Sequence, residues 1–361
     1  MNYTTELIYT LTALICSACI AFALTPAVRV LAFKINAVDV PKDNRRMHKS
    51  KMPLLGGLSI FLAFVVSVLA FCEVSKQIVA LLIGALVIVV TGVADDKYNL
   101  KPIVKLVMQI VAALIIVLSG IRIEHIKIFG RLFYFGKLSI PITILWIVAM
   151  TNATNLIDGL DRLSCGVSAV SASSMLIALF FLPDTPYYAI ILLSILAGSC
   201  IGFLPYNLNP AKIFMGDTGS MFLGFTLSVI SIMGLFKSTA VFAFWIPFLI
   251  FIVPLGDTTF AFIRRILHGK SPFSADRGHI HHRLIDAGFS QKQVVAILCV
   301  ISAIFGISAI LYSVGRFKGS LLVVISAVAI LLVNWRCITK NDTTKEETGI
   351  DFNKIEKNEN L

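Results

Sequence analysis

Hydrophobic residues in this chain come in long blocks separated by short polar stretches, with little of the alternation that marks half-buried strands. A helix needs roughly 20 apolar residues to cross a bilayer. Blocks near that length lie at about 7–28, 54–72, 77–94, 103–121, 138–154, 163–182, 187–204, 218–236, 240–262, 293–313 and 319–335. The pattern predicts an all-α polytopic membrane protein with about eleven transmembrane helices. The first block precedes a basic loop and is long enough to span, so it reads as a retained anchor and not a cleaved signal. One connection differs. Residues 122–137 (RIEHIKIFGRLFYFGK) alternate around Gly130 and Gly136, which predicts a small hairpin. Residues 1–338 form the expected transmembrane domain, with its functional loops on the cytoplasmic face. Residues 339–361 form a polar, charged tail expected to be disordered.

Composition narrows the class. Of 361 residues, 57% are hydrophobic and only 14% charged, against about a quarter charged in soluble domains. With a mean hydropathy of +0.89, this excludes a water-soluble enzyme, a disordered chain and a disulfide-stapled secreted scaffold. The net charge of +11 could point to nucleic acid, but the placement of the cations gives a plainer account. With the N-terminus outside, 23 of the 31 Lys and Arg fall in inward loops and 8 in outward ones. That bias sets the N-terminus outside and the C-terminus in the cytoplasm, and makes the lipid bilayer, not nucleic acid, the partner. Among the seven cysteines, Cys16 and Cys19 form one CxxC inside an apolar block, and no paired CxxC marks a zinc ribbon.

The unusual polar residues gather in the inward loops. Asp95 and Asp96 stand together at the end of the third block, ahead of a turn and Pro102. Adjacent carboxylates at an apolar helix end repel each other and cost desolvation. A hard divalent cation such as magnesium relieves both, while a solvated helix-ending turn is the plainer alternative. In TNATNLIDGLDRLSCG, Asn152, Asn155, Asp158, Asp161 and Arg162 crowd the gap between two apolar blocks, and a helix would put Asn155, Asp158 and Arg162 on one face. In PYNLNPAKIFMGDTGSMFLGF, Asp217 and Thr218 open another block. They read either as a helix cap or as a magnesium ligand beside backbone N–H groups that face a phosphate. Asn207 and Lys212 lie just upstream.

The largest inward loop holds His268, His279, His281, His282 and Arg283 without HExxH or a nearby cysteine, which speaks against a zinc protease. Imidazoles with an arginine suit an anionic, hydrogen-bond-rich ligand such as a nucleotide sugar, or anionic lipid headgroups. Lys49 precedes a Pro-x-x-Gly-Gly turn at the second block. An ion-coupled transporter is the main alternative reading. It would place polar groups at mid-membrane, whereas the middles of these blocks are nearly free of charge.

Five stretches, PLLGGLSIF, DDKYNLKP, NATNLIDGLD, YNLNPAKIFMGDTGS and HIHHR, resemble in order the motifs of the polyprenyl-phosphate N-acetylhexosamine-1-phosphate transferases. The resemblance runs from about residue 45 to 285. The HIHHR form resembles the branch using UDP-N-acetylglucosamine, and departs from the triple-histidine form of the phospho-N-acetylmuramoyl-pentapeptide transferases. The resemblance implies transfer of N-acetylglucosamine 1-phosphate from UDP-N-acetylglucosamine to undecaprenyl phosphate, with release of UMP. The product would open a cell-envelope polysaccharide such as teichoic acid or O-antigen. It implies magnesium, with manganese able to substitute, held by Asp217, Asn155 and Asp95. Asp95 or Asp96 would act on the acceptor phosphate, with Asp158 supporting the mouth.

By the same resemblance Lys49, Asp161 and Asn207 would face the uridine and phosphates, with Asn152 among the substrate contacts. His279, His281, His282 and Arg283 would meet the sugar and its phosphate. The expected location is the bacterial inner membrane, with the site on the cytoplasmic face. A GxxxG at Gly198 and Gly202 suits close helix packing, within one chain or across a homodimer.

Overall fold

The computed structural model describes residues 3–39, 51–128, 131–158, 163–208, 210–236, 245–267 and 280–328. Seven of the described helices are long and apolar enough to cross a membrane. They are α1 (Tyr3–Lys34), α3 (Lys76–Tyr98), α5 (Ser139–Ile157), α6 (Leu163–Phe181), α7 (Tyr187–Asn207), α8 (Gly216–Gly234) and α12 (Gln291–Ser313). Three shorter apolar helices, α2 (Gly56–Phe71), α4 (Pro102–Leu118) and α13 (Phe317–Val328), account for further predicted blocks. The block expected at 240–262 is divided into α9 (Trp245–Ile250) and α10 (Ile252–Leu267). The polar tail lies outside the described residues.

The division of that block has a local cause. Pro254 carries no N–H, so the carbonyl of Ile250, four residues earlier, loses its helical donor. The Ser171 hydroxyl of α6 donates to that carbonyl instead, at 3.3 Å. The short helix α11 (Ile280–Asp286) follows.

Helix α8 is the centre of the bundle. From Thr218 to Gly234 every residue is buried, as expected of a helix apolar on all sides. Helices α2, α3, α5, α6 and α7 surround it. Small residues make this close approach possible. A Cβ on Gly57 would lie 2.1 Å from Gly219 Cα, and one on Gly92 would lie 2.4 Å from Thr218 Cα. The periphery is the inverse of a soluble protein's: Leu7, Leu11 and Ile15 of α1, Ile83 and Val90 of α3, and Val107 and Leu114 of α4 are exposed. Such a surface fits acyl chains. The GxxxG of α7 packs inside the chain, since Cβ atoms on Gly198 and Gly202 would run into the Leu14 and Ala18 carbonyls of α1.

Two small sheets complete the fold. The expected hairpin is present, with β3 (His125–Ile128) antiparallel to β4 (Arg131–Tyr134) and His125 opposite Tyr134. A second pair has no clear sequence signal: β1 (Val38–Asp39) pairs with β2 (Met52–Pro53). The chain after β2 is tied to the segment before α8, through Phe214 N to Pro53 O (2.8 Å), Gly56 N to Phe214 O (2.9 Å) and Gly57 N to Met215 O (2.8 Å). The Pro-x-x-Gly-Gly turn thus holds the start of α8 in place, which a basic juxtamembrane loop would not do.

Candidate active site

Four helix ends meet at one end of the bundle: the C-termini of α3 and α5 and the N-termini of α4 and α8. Helix α3 stops because Asn99 takes the left-handed conformation (φ 52°) at its C-cap, and Pro102 begins α4 where its missing N–H costs nothing. The sharp reversal brings α4 back beside Asp95. The Asp95 carboxylate accepts from Leu100 N at 2.7 Å across that turn.

Lys105, one turn into α4, is the hub of the site. Its Nζ lies 2.9 Å from Asp95 Oδ2 and 2.9 Å from Asp217 Oδ2. One ammonium therefore marks the point on which carboxylates from positions 95 and 217 converge. Asp95 is buried and Asp217 half-buried, so the charges interact where water screens them weakly.

Asp96 faces elsewhere. Its carboxylate accepts from Asp217 N (2.8 Å), Thr218 N (3.1 Å) and the Thr218 hydroxyl (2.6 Å). It is the anion at the positive end of α8, and it couples α3 to α8. This corrects one expectation: the N–H groups of Asp217 and Thr218 serve Asp96 and do not face a phosphate. Neither Asp217 nor Thr218 is the cap residue of α8. That position is Met215, followed by Gly216 with φ 71°.

Asn155, near the end of α5, donates to the Ser220 hydroxyl at 2.9 Å, and that hydroxyl donates to Gly216 O at 3.2 Å. The Asn155 amide also interacts with the Asp217 carboxylate. Asp95, Asp217 and Asn155 therefore share one mouth. Asn152 lies a turn deeper, in a reciprocal amide pair with Gln109 (2.6 and 3.3 Å). Asp158 caps α5, half-buried at the same end.

Asn207 is fully buried and donates to Ile213 O at 3.1 Å, so it holds the loop entering α8 instead of opening to the mouth. Arg283 is half-buried on α11, and burial together with the Arg264 guanidinium pushes its pKa below the usual arginine value. Two neighbouring guanidiniums favour an anion between them. Lys49, Asp161 and His279 lie outside the described residues, as do the side chains of His281 and His282.

Sequence reasoning missed Lys105 and Gln109. Lys105 passes as one more cation of an inward loop, although its spacing of four from Gln109 puts both on one face of α4. The donor set fits a hard divalent cation: two carboxylates and an amide converge.

Comparison with known proteins places the chain in a family. Residues 78–235 match the family described as glycosyl transferase family 4. Over 302 residues the chain is 44% identical to a probable undecaprenyl-phosphate N-acetylglucosaminyl 1-phosphate transferase of Bacillus subtilis, covering 82% of this chain and 83% of the relative. The chain belongs to glycosyl transferase family 4. Another relative, the decaprenyl-phosphate N-acetylglucosaminephosphotransferase of Mycobacterium tuberculosis, is 34% identical over 314 residues, covering 78% of this chain and 77% of the relative. A third is the undecaprenyl-phosphate alpha-N-acetylglucosaminyl 1-phosphate transferase of Salmonella typhimurium, 32% identical over 291 residues and 76% of each chain. The matched region of this family 4 protein contains Asp95, Lys105, Asn155 and Asp217. The transporter alternative has no supporting observation.

Proposed function

We propose that this family 4 protein transfers N-acetylglucosamine 1-phosphate from UDP-N-acetylglucosamine to undecaprenyl phosphate, releasing UMP. The observation that carries the reading is the convergence of Asp95 and Asp217 on Lys105 at one end of the apolar helices. The names of its relatives supply the substrate classes.

An oxygen of the lipid phosphate bonds to the sugar-bearing phosphorus, and the bond from that phosphorus to the bridging oxygen of UMP breaks. The electron pair leaves with UMP. Such a displacement needs alignment and charge neutralisation more than covalent help. A phosphate monoester has its second pKa near 6, so the acceptor is largely dianionic at neutral pH without an enzymic base. Lys105 supplies a fixed positive charge beside the reacting phosphates. Asp95 orients the acceptor at the mouth, and Asp96 keeps α8 in register so that Asp217 points inward. Asp217 and Asp95, with Asn155, would hold magnesium, whose chemistry there is to neutralise diphosphate charge. Arg283 and the histidines beside it would meet the sugar phosphate.

A lipid acceptor keeps its phosphate at the membrane surface, and a nucleotide sugar comes from the cytosol. Both facts favour an inner-membrane protein with its mouth on the cytoplasmic face. The cation bias of the loops supports the same orientation. The test is to incubate membranes containing the protein with radiolabelled UDP-N-acetylglucosamine and undecaprenyl phosphate. A magnesium-dependent, butanol-extractable product is expected. Its absence from active-site-intact membranes would overturn the reading.

A further inference from the structure

The histidine-bearing helix α11 is held to the bundle by apolar side chains. Its Ile280, Leu284 and Ile285 pack into a small apolar cluster with Ile157 of α5, Val253 of α10 and Val294 of α12. Ile157 lies two residues beyond Asn155, so this cluster seats α11 beside the end of α5 that delivers Asn155 and Asp158. Apolar contacts are non-directional. They hold a short helix against its neighbours without fixing its position along or about its axis.

A directional contact fixes its start. The backbone N–H of Ile280 donates to Asp257 Oδ1 at 2.7 Å. Asp257 belongs to α10, lies 23 residues away in sequence, and is only 3% exposed. A carboxylate buried in an apolar helix is costly unless hydrogen-bonded. Here it engages the first N–H of α11, one of the donors that a helix leaves unsatisfied at its N-terminus. The break at Phe251, fixed by Pro254, sets the direction of α10 and so the place from which Asp257 reaches α11.

We propose that Asp257 is a positioning residue. It clamps the start of α11 and so fixes where His281, His282 and Arg283 stand relative to the carboxylate mouth. The proposal rests on the transferase reading above, in which those three side chains meet the donor's sugar phosphate. In this role Asp257 acts through the backbone it holds and not through contact with a substrate.

The test is steady-state kinetics on the full-length protein with UDP-N-acetylglucosamine and undecaprenyl phosphate. A hydrogen bond to a charged group corresponds to about tenfold or more in affinity, so Asp257→Ala should raise the donor KM by about that factor and leave the acceptor KM unchanged. Asp257→Asn retains an acceptor oxygen and should keep the donor KM within about threefold of wild type. Ile280→Pro removes the donor at a first helical position, where proline is tolerated, and should reproduce the Asp257→Ala defect. Combining the two should add little to the donor KM, because both delete the bond from Ile280 N–H to Asp257.

An unchanged donor KM in Asp257→Ala overturns the proposal, as does an Asp257→Asn variant as impaired as Asp257→Ala. If Asp257→Ala does not reach the membrane, Ile280→Pro with a wild-type donor KM overturns it equally. A wild-type protein that transfers no sugar phosphate would instead sink the transferase reading, and the clamp with it.

Discussion

At the scale of single residues, two consecutive carboxylates have separate tasks. Asp95 faces Lys105 and Asp217, while Asp96 accepts three hydrogen bonds from the start of α8. Asp96→Ala should lower stability by about 1–3 kcal/mol, the cost of leaving those donors without their partner, and should appear as a lower Tm in detergent. Asp95→Asn keeps an acceptor for Leu100 N and leaves Lys105 its Asp217 partner, so it should lose less Tm than Asp96→Ala yet lose transfer by about a hundredfold or more, as expected when a group that stabilises developing charge is removed. Equal loss of Tm in both variants would show that the division is wrong. Lys105 permits a related check. Replacing it by Met removes the cation between Asp95 and Asp217, so added magnesium should raise the Tm of Lys105→Met by more than it raises wild type. The same magnesium response in both proteins would argue against a cation site at that point. The sequence singles out Asp95 and Asp217, because carboxylates at the ends of apolar helices are conspicuous. It could not say which of Asp95 and Asp96 faces the mouth. Neighbouring residues on a helix point about 100° apart, and only the packing of α3 against α8 selects between them.

At the scale of elements, the site depends on how closely α2 and α3 approach the first turn of α8. Gly57 and Gly92 make that approach, and any Cβ there would overlap backbone, which cannot yield as a flexible side chain would. Gly57→Ala and Gly92→Ala should each cost about 1–3 kcal/mol and reduce transfer, since the strain falls next to Asp217. Gly256 in α10 is the control: nothing among the described residues lies within 4 Å of its would-be Cβ, so Gly256→Ala should be neutral or stabilise by about 0.5–1 kcal/mol. Thermal melting of the three variants checks the contrast, and a Gly256→Ala as unstable as Gly57→Ala would refute the packing argument. The helices themselves were legible as apolar blocks, and the hairpin as an alternating run. The break at Phe251 was less so, because Pro254 sits within an otherwise uninterrupted apolar stretch. Whether such a proline kinks or divides a helix depends on a partner such as Ser171, which no local pattern shows.

At the scale of the whole molecule, the carboxylate mouth and the β3–β4 hairpin lie at opposite ends of the same helices. Helix α4 carries Lys105 in its first turn and runs 17 residues, about 25 Å at 1.5 Å per residue, before the chain enters the hairpin. That length is close to the hydrocarbon thickness of a bilayer, about 30 Å. A single orientation therefore puts Tyr98, at the end of α3 beside the mouth, and Tyr134, on the hairpin, in different compartments. Both side chains are well exposed, at 67% and 72%. In a background with the native cysteines replaced, Tyr134→Cys should react with a membrane-impermeant maleimide added to intact cells. Tyr98→Cys should react only once the membrane is opened. The same labelling of both positions from one side would rule out the crossing of α4. The reverse pattern would leave the fold standing but put the mouth outside, where no cytosolic nucleotide sugar could reach it. Because the donor is soluble and charged while the acceptor is confined to the membrane, the sidedness of these two tyrosines decides whether the chemistry assigned to Asp95, Lys105 and Asp217 can take place.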